Sequence, residues 1–276
     1  MIYTLTLNPA IDCYVYEQLR NDGIIKVGKQ RFEIGGKGIN VSLALKRLGV
    51  ESRPITILGG FTGQYIKTGL KELGLEPLII KSSRNTRLNL KVYGGANESE
   101  YNVLSEVTDK EVKRVKKILD TLLPTDLLII SGSGSLDHYR YLLASLKCPF
   151  VLDCDGHILK HLISYKPLIV KPNANELKMI SEDRREALDI LLSGAEIVLN
   201  TLGSSGSLVK TKEDVIRIST LNSDVVTTVG CGDTYLAAFI KYYLDGNTLE
   251  ACANFASKAA FFRAKHGVFP TIDDLS

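Results

Sequence analysis

The sequence predicts an α/β protein built on a mostly parallel sheet with helices on both faces. Short, continuously apolar runs alternate with longer amphipathic runs along the chain. Continuously apolar strands are typical of sheets that helices cover on both faces, and the alternation favours parallel strands. No repeat, low-complexity tract or linker divides the chain. We therefore expect a single domain over residues 1–276.

Strand and helix signals follow one another in regular order. The predicted strands are Ile2–Leu7, Arg53–Leu58, Leu127–Ile130, Phe150–Asp153, Leu168–Val170 and Ile197–Asn200. The predicted helices are Gly63–Leu73, Asp109–Leu123, Tyr139–Leu146, Asn173–Ile180, Arg184–Leu192, Asp233–Leu244 and Thr248–Lys265. A further helix begins after Gly36 and stops before Gly49, a natural helix end.

Two segments depart from this alternation. Cys13–Ile34 and Asn89–Val103 are polar, β-branched and aromatic, with turn signals at Asn21-Asp22-Gly23 and Gly94-Gly95. These features predict hairpins. From the residues alone, the hairpins are either surface features without a role or a small sheet that covers a site.

The composition excludes several classes of protein. A net charge of +3 is too small to indicate a nucleic-acid or membrane-surface partner, and no apolar stretch reaches the length of a membrane span. The N-terminus predicts a strand rather than a signal peptide. Five cysteines without a Cys-x-x-Cys pair predict reduced thiols in the cytoplasm.

The most informative motif is Gly230-Cys231-Gly232-Asp233, which precedes an apolar helical run. Free N–H groups at a helix start form an anion site. A carboxylate there repels a phosphate, but it suits a base that takes a proton from a hydroxyl attacking a phosphoryl group. The alternative is an ordinary glycine turn with an aspartate cap.

A second motif, Gly35-Gly36-Lys37-Gly38-Ile39-Asn40, also opens a helix. Together the two motifs resemble the ribokinase-like (PfkB) carbohydrate kinases. The resemblance implies a three-layer α/β sandwich, a small β-sheet lid over the sugar at residues 13–34 and 89–103, and a homodimer joined through the lid strands. It assigns the base to Asp233 and the stabilising N–H groups to Gly230, Cys231 and Gly232. It also places Gly35, Gly36, Lys37 and Asn40 in the sugar pocket.

Two strings resemble the branch of this family that phosphorylates sugar phosphates. Thr6-Leu7-Asn8-Pro9-Ala10-Ile11-Asp12 follows the first strand, and Thr86-Arg87-Leu88-Asn89 begins the second hairpin segment. The resemblance implies that Asp12 and Asn89 bind sugar hydroxyls and that Arg87 binds the phosphate already on the sugar. The planar guanidinium suits a phosphate, although a solvated arginine is the alternative for this string alone.

The resemblance also implies ATP and Mg²⁺. The glycine-rich turn with Thr201, Gly203, Ser205 and Gly206, together with Gly232 and Asn254, is expected to bind the nucleotide. Asn173 and Glu176, in the string Asn173-Ala174-Asn175-Glu176, are expected at the metal. The same two residues also fit a capping box at a helix start, and both roles can hold at once.

The expected activity is ATP-dependent phosphorylation of a sugar phosphate. Fructose 1-phosphate is the first candidate, tagatose 6-phosphate the second, and a non-catalytic sensor of sugar phosphates the alternative from another class. The loop Ser131–Asp137 departs from the Ser-Gly-Ser-Leu-Pro-x-Gly string of this branch. That departure leaves the identity of the substrate more open than the type of reaction.

Overall fold

The computed structural model describes residues 1–21, 24–94, 97–103, 105–220 and 224–275. Its strands are β1 (Ile2–Thr6), β2 (Ala10–Asn21), β3 (Ile24–Gly35), β4 (Ser52–Gly59), β5 (Leu78–Ser82), β6 (Arg87–Gly94), β7 (Asn97–Tyr101), β8 (Leu127–Ser131), β9 (Phe150–Asp153), β10 (Ile169–Val170), β11 (Ile197–Thr201), β12 (Ser207–Lys210) and β13 (Val215–Ile218). Its helices are α1 (Lys37–Arg47), α2 (Gly60–Glu72), α3 (Asp109–Leu119), α4 (Leu136–Leu143), α5 (Gly156–Leu162), α6 (Ala174–Lys178), α7 (Arg184–Leu192), α8 (Cys231–Leu244) and α9 (Leu249–His266).

Nine of the described strands form the large sheet, in the order β13-β12-β11-β10-β9-β8-β1-β4-β5. The strands from β11 to β5 are parallel, whereas β12 and β13 extend the sheet antiparallel beyond β11. All the strands predicted for the sheet are present. The short strands β5, β12 and β13 and the helix α5 escaped prediction because their segments are short and weakly periodic.

The strands are covered on both faces, which explains their continuously apolar sequences. On one face, Ile129 and Val151 belong to a buried cluster with α1, α8 and α9. On the other face, Ile130 and Leu152 belong to a second cluster with α3, α4, α5 and α7. The expected three layers are therefore present, and the helix starts that follow the strands lie at the carboxyl edge of the sheet.

The two hairpin segments form one separate sheet of four strands, in the order β3-β2-β6-β7. β2 pairs antiparallel with β3, β6 pairs antiparallel with β7, and β2 and β6 join the two pairs in parallel. We call this sheet the lid. The turn signals at Asp22-Gly23 and Gly95 lie outside the described residues. A third apolar cluster, which includes Ile11, Ile39 and Ile66, connects the lid to α1 and α2.

Candidate active site

A cleft of about 1010 Å³ lies between the carboxyl edge of the large sheet, the lid and the start of α8. It collects segments that are far apart in the sequence, because parallel strands bring their carboxyl ends to one edge. The predicted site residues that line it are Asp12, Gly36, Lys37, Asn40, Arg87, Asn89, Asn173, Thr201, Gly203, Gly206, Gly230, Cys231, Gly232 and Asp233.

Two other predicted residues lie directly behind this wall. A Cβ atom on Gly35 would come within 2.7 Å of Asp12 Oδ2, so the glycine permits the close approach of this carboxylate to β3. Glu176 reaches Lys37 Nζ with Oε1 at 3.2 Å. Both residues therefore support side chains that face the cleft.

Ser205 and Asn254 lie away from the cleft wall. Ser205 is exposed in a short 3₁₀ turn. Asn254 is exposed on α9, and its amide donates a hydrogen bond of 3.0 Å to the carbonyl of Glu250 one turn earlier. The same helix instead lines the cleft with small and aromatic residues, namely Ser257, Ala260, Phe261 and Ala264.

Asp233 lies in the first turn of α8 and is 6% exposed. The amide of Asn40 donates a hydrogen bond of 2.8 Å to its Oδ2 atom, which joins the two glycine motifs. Burial, and then repulsion by Asp153, raise the pKa of Asp233 to about 6. A carboxylate with this pKa is ionised at neutral pH and is a stronger base than an exposed aspartate.

The turn before Asp233 presents free N–H groups to the cleft. Gly230 has a φ of 78°, a left-handed conformation that favours glycine. Among the described residues, the N–H groups of Gly230 and Gly232 have no acceptor. The Cys231 N–H, expected in the same set, donates instead to the carbonyl of Thr228 at 3.4 Å. Gly230 and Gly232 therefore offer an anion two N–H groups, whereas that of Cys231 is already bonded.

A buried charge network that sequence reasoning missed lies beside this turn. Asp153, at the end of β9, is fully buried, and its Oδ1 atom accepts from Lys37 at 3.2 Å and Lys171 at 3.0 Å. Burial opposes ionisation, but the two lysines hold the pKa of Asp153 below its ordinary value. Burial alone would lower the pKa of Lys37, yet Asp153 and Glu176 raise it overall. Asp153 and Lys37 are therefore both charged.

Lys171 lies against the turn formed by Gly230, Cys231 and Gly232, which we call the anion turn. A Cβ atom on Gly232 would be 3.4 Å from Lys171 Nζ. The lysine follows β10 directly and is 4% exposed, so its charge acts in a region of weak solvent screening. Its place after a strand end, in Lys171-Pro172-Asn173, was the signal that could have identified it.

The sugar side of the cleft has polar groups without partners. Asn89 donates to Asp12 Oδ1 at 2.9 Å, and Arg87 Nη2 donates to the carbonyl of Asn8 at 3.2 Å. Arg87 Nε and Asn89 Oδ1 are buried and have no partner among the described residues. Buried polar atoms are normally satisfied, so these two indicate a ligand or ordered water.

Three further polar atoms of the described residues are also buried without partners. Thr6 Oγ1, Ser131 Oγ and Asp153 Oδ2 are buried without partners among the described residues. Their strands are neighbours in the order β9-β8-β1, so the three atoms lie at one edge of the sheet. Gly132 and Ser133 line the cleft next to Ser131 and belong to the loop Ser131–Asp137, which departs from the expected string.

The expected capping box lies beside the buried charge network. Asn173 Oδ1 accepts from the Glu176 N–H at 2.9 Å, and Glu176 Oε2 accepts from the Asn173 N–H at 2.8 Å. The described residues contain no cluster of three acidic, histidine or cysteine ligands for a metal. The donor set fits Mg²⁺ that is held mostly by phosphates and water, with Glu176 as a protein carboxylate nearby.

The arrangement brings together a base, an anion site and buried cations. A hydroxyl near Asp233 can lose its proton as it attacks a phosphoryl group held at Gly230 and Gly232. Lys171 can neutralise the charge that develops on that group. This chemistry is phosphoryl transfer to an alcohol.

The chain belongs to the family described as pfkB family carbohydrate kinases, whose model matches residues 5–268. It is a phosphotransferase with an alcohol acceptor, and its relatives act on sugar phosphates.

Curated relatives share about a third of its residues. The chain is 31% identical to 1-phosphofructokinase of Borreliella burgdorferi, with 97% of this chain and 92% of that protein covered. It is 34% identical to 1-phosphofructokinase of Bacillus subtilis, with coverage of 87% and 84%. It is 29% identical to D-tagatose-1-phosphate kinase of Bacillus licheniformis, with coverage of 96% and 92%.

The fold is similar to that of phosphofructokinase-2 from Escherichia coli. The structure of that enzyme in complex with fructose-6-phosphate superposes with a TM-score of 0.87 at 25% identity, covering 99% of this chain and 96% of that one. Its tetrameric inhibited form gives the same TM-score at 26% identity, with the same coverage. In the described part of the present chain, every helix is too short or too polar to cross a membrane.

Proposed function

We propose that this enzyme transfers the γ-phosphoryl group of ATP to the free primary hydroxyl of fructose 1-phosphate, giving fructose 1,6-bisphosphate. One observation carries the proposal. Asp233 and the free N–H groups of Gly230 and Gly232 share a cleft with the unpartnered Nε of Arg87. A base, an anion site and a second phosphate-binding group suit a sugar that already carries a phosphate.

The sugar is oriented from the lid. The Asp12–Asn89 pair supplies acceptors and donors for hydroxyl groups, with Gly35, Gly36 and Asn40 shaping the wall between lid and base. Arg87 binds the phosphate that does not react. Burial lowers the pKa of Arg87, and Asp12 opposes this effect, so an incoming dianion relieves the cost of burying the cation.

The proton of the attacking hydroxyl passes to Asp233. The N–H groups of Gly230 and Gly232 hold the transferring group, and Lys171 neutralises the charge that develops on it. Lys37, expected from the sequence to lie in the sugar pocket, has its ammonium between Asp153 and Glu176. It therefore acts mainly by keeping Asp153 ionised and by holding both carboxylates in place.

The nucleotide occupies the other half of the cleft. Gly203 and Gly206, both with positive φ, let the backbone near Thr201 and Ser205 approach the phosphates and ribose. The adenine ring packs against the wall of α9 formed by Ser257, Ala260 and Phe261, with Asn254 at the margin of this wall. Mg²⁺ bound with ATP would lie near Glu176 and Asn173 and would neutralise phosphate charge.

Tagatose phosphates are the second candidate substrates. The relative named D-tagatose-1-phosphate kinase is almost as similar to the chain as the 1-phosphofructokinases, and the wall at Gly132 and Ser133 departs from the expected string. A non-catalytic sensor is disfavoured because it would not need a buried base beside free N–H groups.

The enzyme is further proposed to be a cytoplasmic homodimer paired through its lids. All five cysteines are free, which suits a reducing compartment. The lid exposes Tyr16, Val27, Phe32 and Tyr101, and uncovered strand faces favour association. Light scattering behind a sizing column tests the dimer: a species of 30.3 kDa would contradict it. Cell fractionation tests the location.

A coupled assay for ADP release tests the activity. Fructose 1-phosphate should give a higher kcat/KM than tagatose 1-phosphate, tagatose 6-phosphate, fructose 6-phosphate or fructose. Preference for a tagatose phosphate would show that fructose 1-phosphate is not the main substrate. Equal use of fructose would refute the proposal that the substrate is a sugar phosphate. Asp233→Ala should lower kcat by at least about 10²-fold while ATP still binds. A variant that keeps a tenth of the activity would refute the assignment of Asp233 as the base.

A further inference from the structure

A single arginine behind the anion turn has no place in the mechanism above. Arg263 is half-buried on α9, outside the wall of the cleft. Its Nε donates to the carbonyl of Val229 at 3.2 Å, and its Nη1 donates to the carbonyl of Gly267. Its guanidinium carbon lies 4.4 Å from the centre of the Phe269 ring. Three contacts thus fix the guanidinium against two separate segments.

The hydrogen bond from Arg263 to the carbonyl of Val229 fixes the orientation of the peptide group between Val229 and Gly230. In a trans peptide the C=O and the following N–H point in opposite directions. The carbonyl of Val229 and the N–H of Gly230 belong to one such peptide. An arginine that holds this carbonyl on the side away from the cleft therefore directs the N–H toward the cleft.

In the part of this turn that the structure describes, the directed N–H is one of three without an acceptor, together with those of Gly232 and Asp233. Gly230 lines the cleft, and among the described residues its N–H has no acceptor. Glycine at φ 78° has few steric restraints of its own, so a nearby contact must fix the peptide plane. The side chain that does so is Arg263, whose Nε would lie 3.4 Å from a Cβ atom placed on Gly230.

We propose that Arg263 is a positioning residue that aims the Gly230 N–H at the transferring phosphoryl group. The proposal rests on the catalytic role of the anion turn given above. The fork of the guanidinium is essential, because it spans the carbonyls of Val229 and Gly267 at once. A preorganised donor contributes where charge develops, so loss of Arg263 acts on the transition state more than on bound substrates.

Three variants test this role: Arg263→Ala, Arg263→Lys and the control Arg47→Ala. Arg47 Nε donates to the carbonyl of Phe269 at 3.2 Å, so its removal loosens the same C-terminal segment without touching Val229. Lysine at position 263 retains the charge but cannot span both carbonyls. The sugar phosphate used is the one that the wild-type enzyme turns over fastest.

Arg263→Ala is expected to lower kcat by about 10- to 100-fold, because loss of a whole oxyanion donor costs about 10²–10³. KM for both substrates should stay within about twofold. Arg263→Lys should lose most of the same activity, and Arg47→Ala should keep at least half of it. Affinity for ADP with aluminium fluoride, a mimic of the transferring group, should fall in parallel with kcat.

Other outcomes overturn the proposal. Full activity in Arg263→Lys would show that the fork is unnecessary, and this variant decides the matter even if Arg263→Ala does not fold. Equal losses in Arg47→Ala and Arg263→Ala would indicate general support of the C-terminal segment. Unchanged affinity for the aluminium fluoride complex would also refute the proposal that Arg263 aims the Gly230 N–H. A wild-type enzyme inactive on every sugar phosphate would instead refute the proposed function.

Discussion

Replacing Asp233 by asparagine is expected to stop catalysis and to stabilise the folded enzyme at the same time. Asparagine keeps the volume of the side chain and can still accept the hydrogen bond that Asn40 donates at 2.8 Å. It removes a negative charge that is buried and repelled by Asp153. A catalytic base that is costly to ionise lowers the stability of the fold, as functional sites often do.

The magnitude follows from the pKa of Asp233, which is raised from its ordinary value of 3.8 to about 6. A difference of about two pH units corresponds to about 3 kcal/mol in the free energy of unfolding. Because the pKa is raised in the folded state, the folded enzyme binds this proton more tightly than the unfolded chain. The cost is therefore small below about pH 4, grows as the pH rises, and is complete above about pH 7.

Denaturant unfolding of wild-type enzyme and Asp233→Asn at several pH values measures this cost. The variant should be more stable by about 3 kcal/mol at pH 8 and by about 1 kcal/mol at pH 4.5. Asp273→Asn, which replaces an exposed carboxylate in the same chain, is the control and should have the same free energy of unfolding as wild type. A difference in stability between Asp233→Asn and wild type that is independent of pH would refute the electrostatic reasoning. So would an Asp233→Asn variant that is less stable than wild type at pH 8.

Three other substitutions separate the roles within the cleft. Arg87→Ala should raise KM for the sugar phosphate by about 10- to 100-fold with little change in KM for ATP, since a charge-assisted contact is worth about 1.5–3 kcal/mol; a selective change in KM for ATP would place it on the nucleotide side. Lys171→Met should lower kcat by at least about tenfold, because a buried cation beside Gly232 is lost; normal turnover would remove Lys171 from catalysis. Cys231→Ala should leave kcat unchanged, and wild-type enzyme should resist alkylation there, because burial raises the pKa of the Cys231 thiol to about 11. Rapid labelling at neutral pH would contradict this.

The elements that could be predicted from the sequence are those with a local signal. The central strands carry continuous apolar runs, and the turn at Gly230 precedes a strongly apolar helix, so both are visible in short windows. The two hairpins of the lid were predicted from turn residues and from their polar, β-branched and aromatic composition. The β2–β6 pairing that joins them connects positions 77 residues apart. Only the family resemblance anticipated that these two segments meet.

The charge network escaped prediction because it depends on strand order. Asp153 ends β9, and Lys37 lies 116 positions earlier, at the start of α1. No spacing in the sequence shows that β1, β8 and β9 are neighbours and bring these groups together. The same reasoning explains Lys37, which was expected to contact the substrate but has two carboxylates beside it. The position of Asn254 depends on which face of α9 turns to the cleft, and α9 carries apolar residues on several sides.

The last prediction concerns Asp153, whose charge raises the pKa of Asp233. Asp153→Asn removes that repulsion and leaves Lys37 and Lys171 without their shared carboxylate. Both changes favour the ionised form of Asp233, so its pKa should fall.

The acid limb of the kcat–pH profile should therefore move to lower pH in Asp153→Asn, while the maximum rate falls because the base is weaker. Glu176→Gln is the matched control, since it also removes one carboxylate from Lys37 but leaves the repulsion between Asp153 and Asp233 in place. Ionisation of the sugar phosphate is the same for every variant and cancels in the comparison. An acid limb that stays in place or moves to higher pH would mean that burial alone sets the pKa of Asp233. In that case the two carboxylates would act independently rather than as a pair whose environments separate their pKa values.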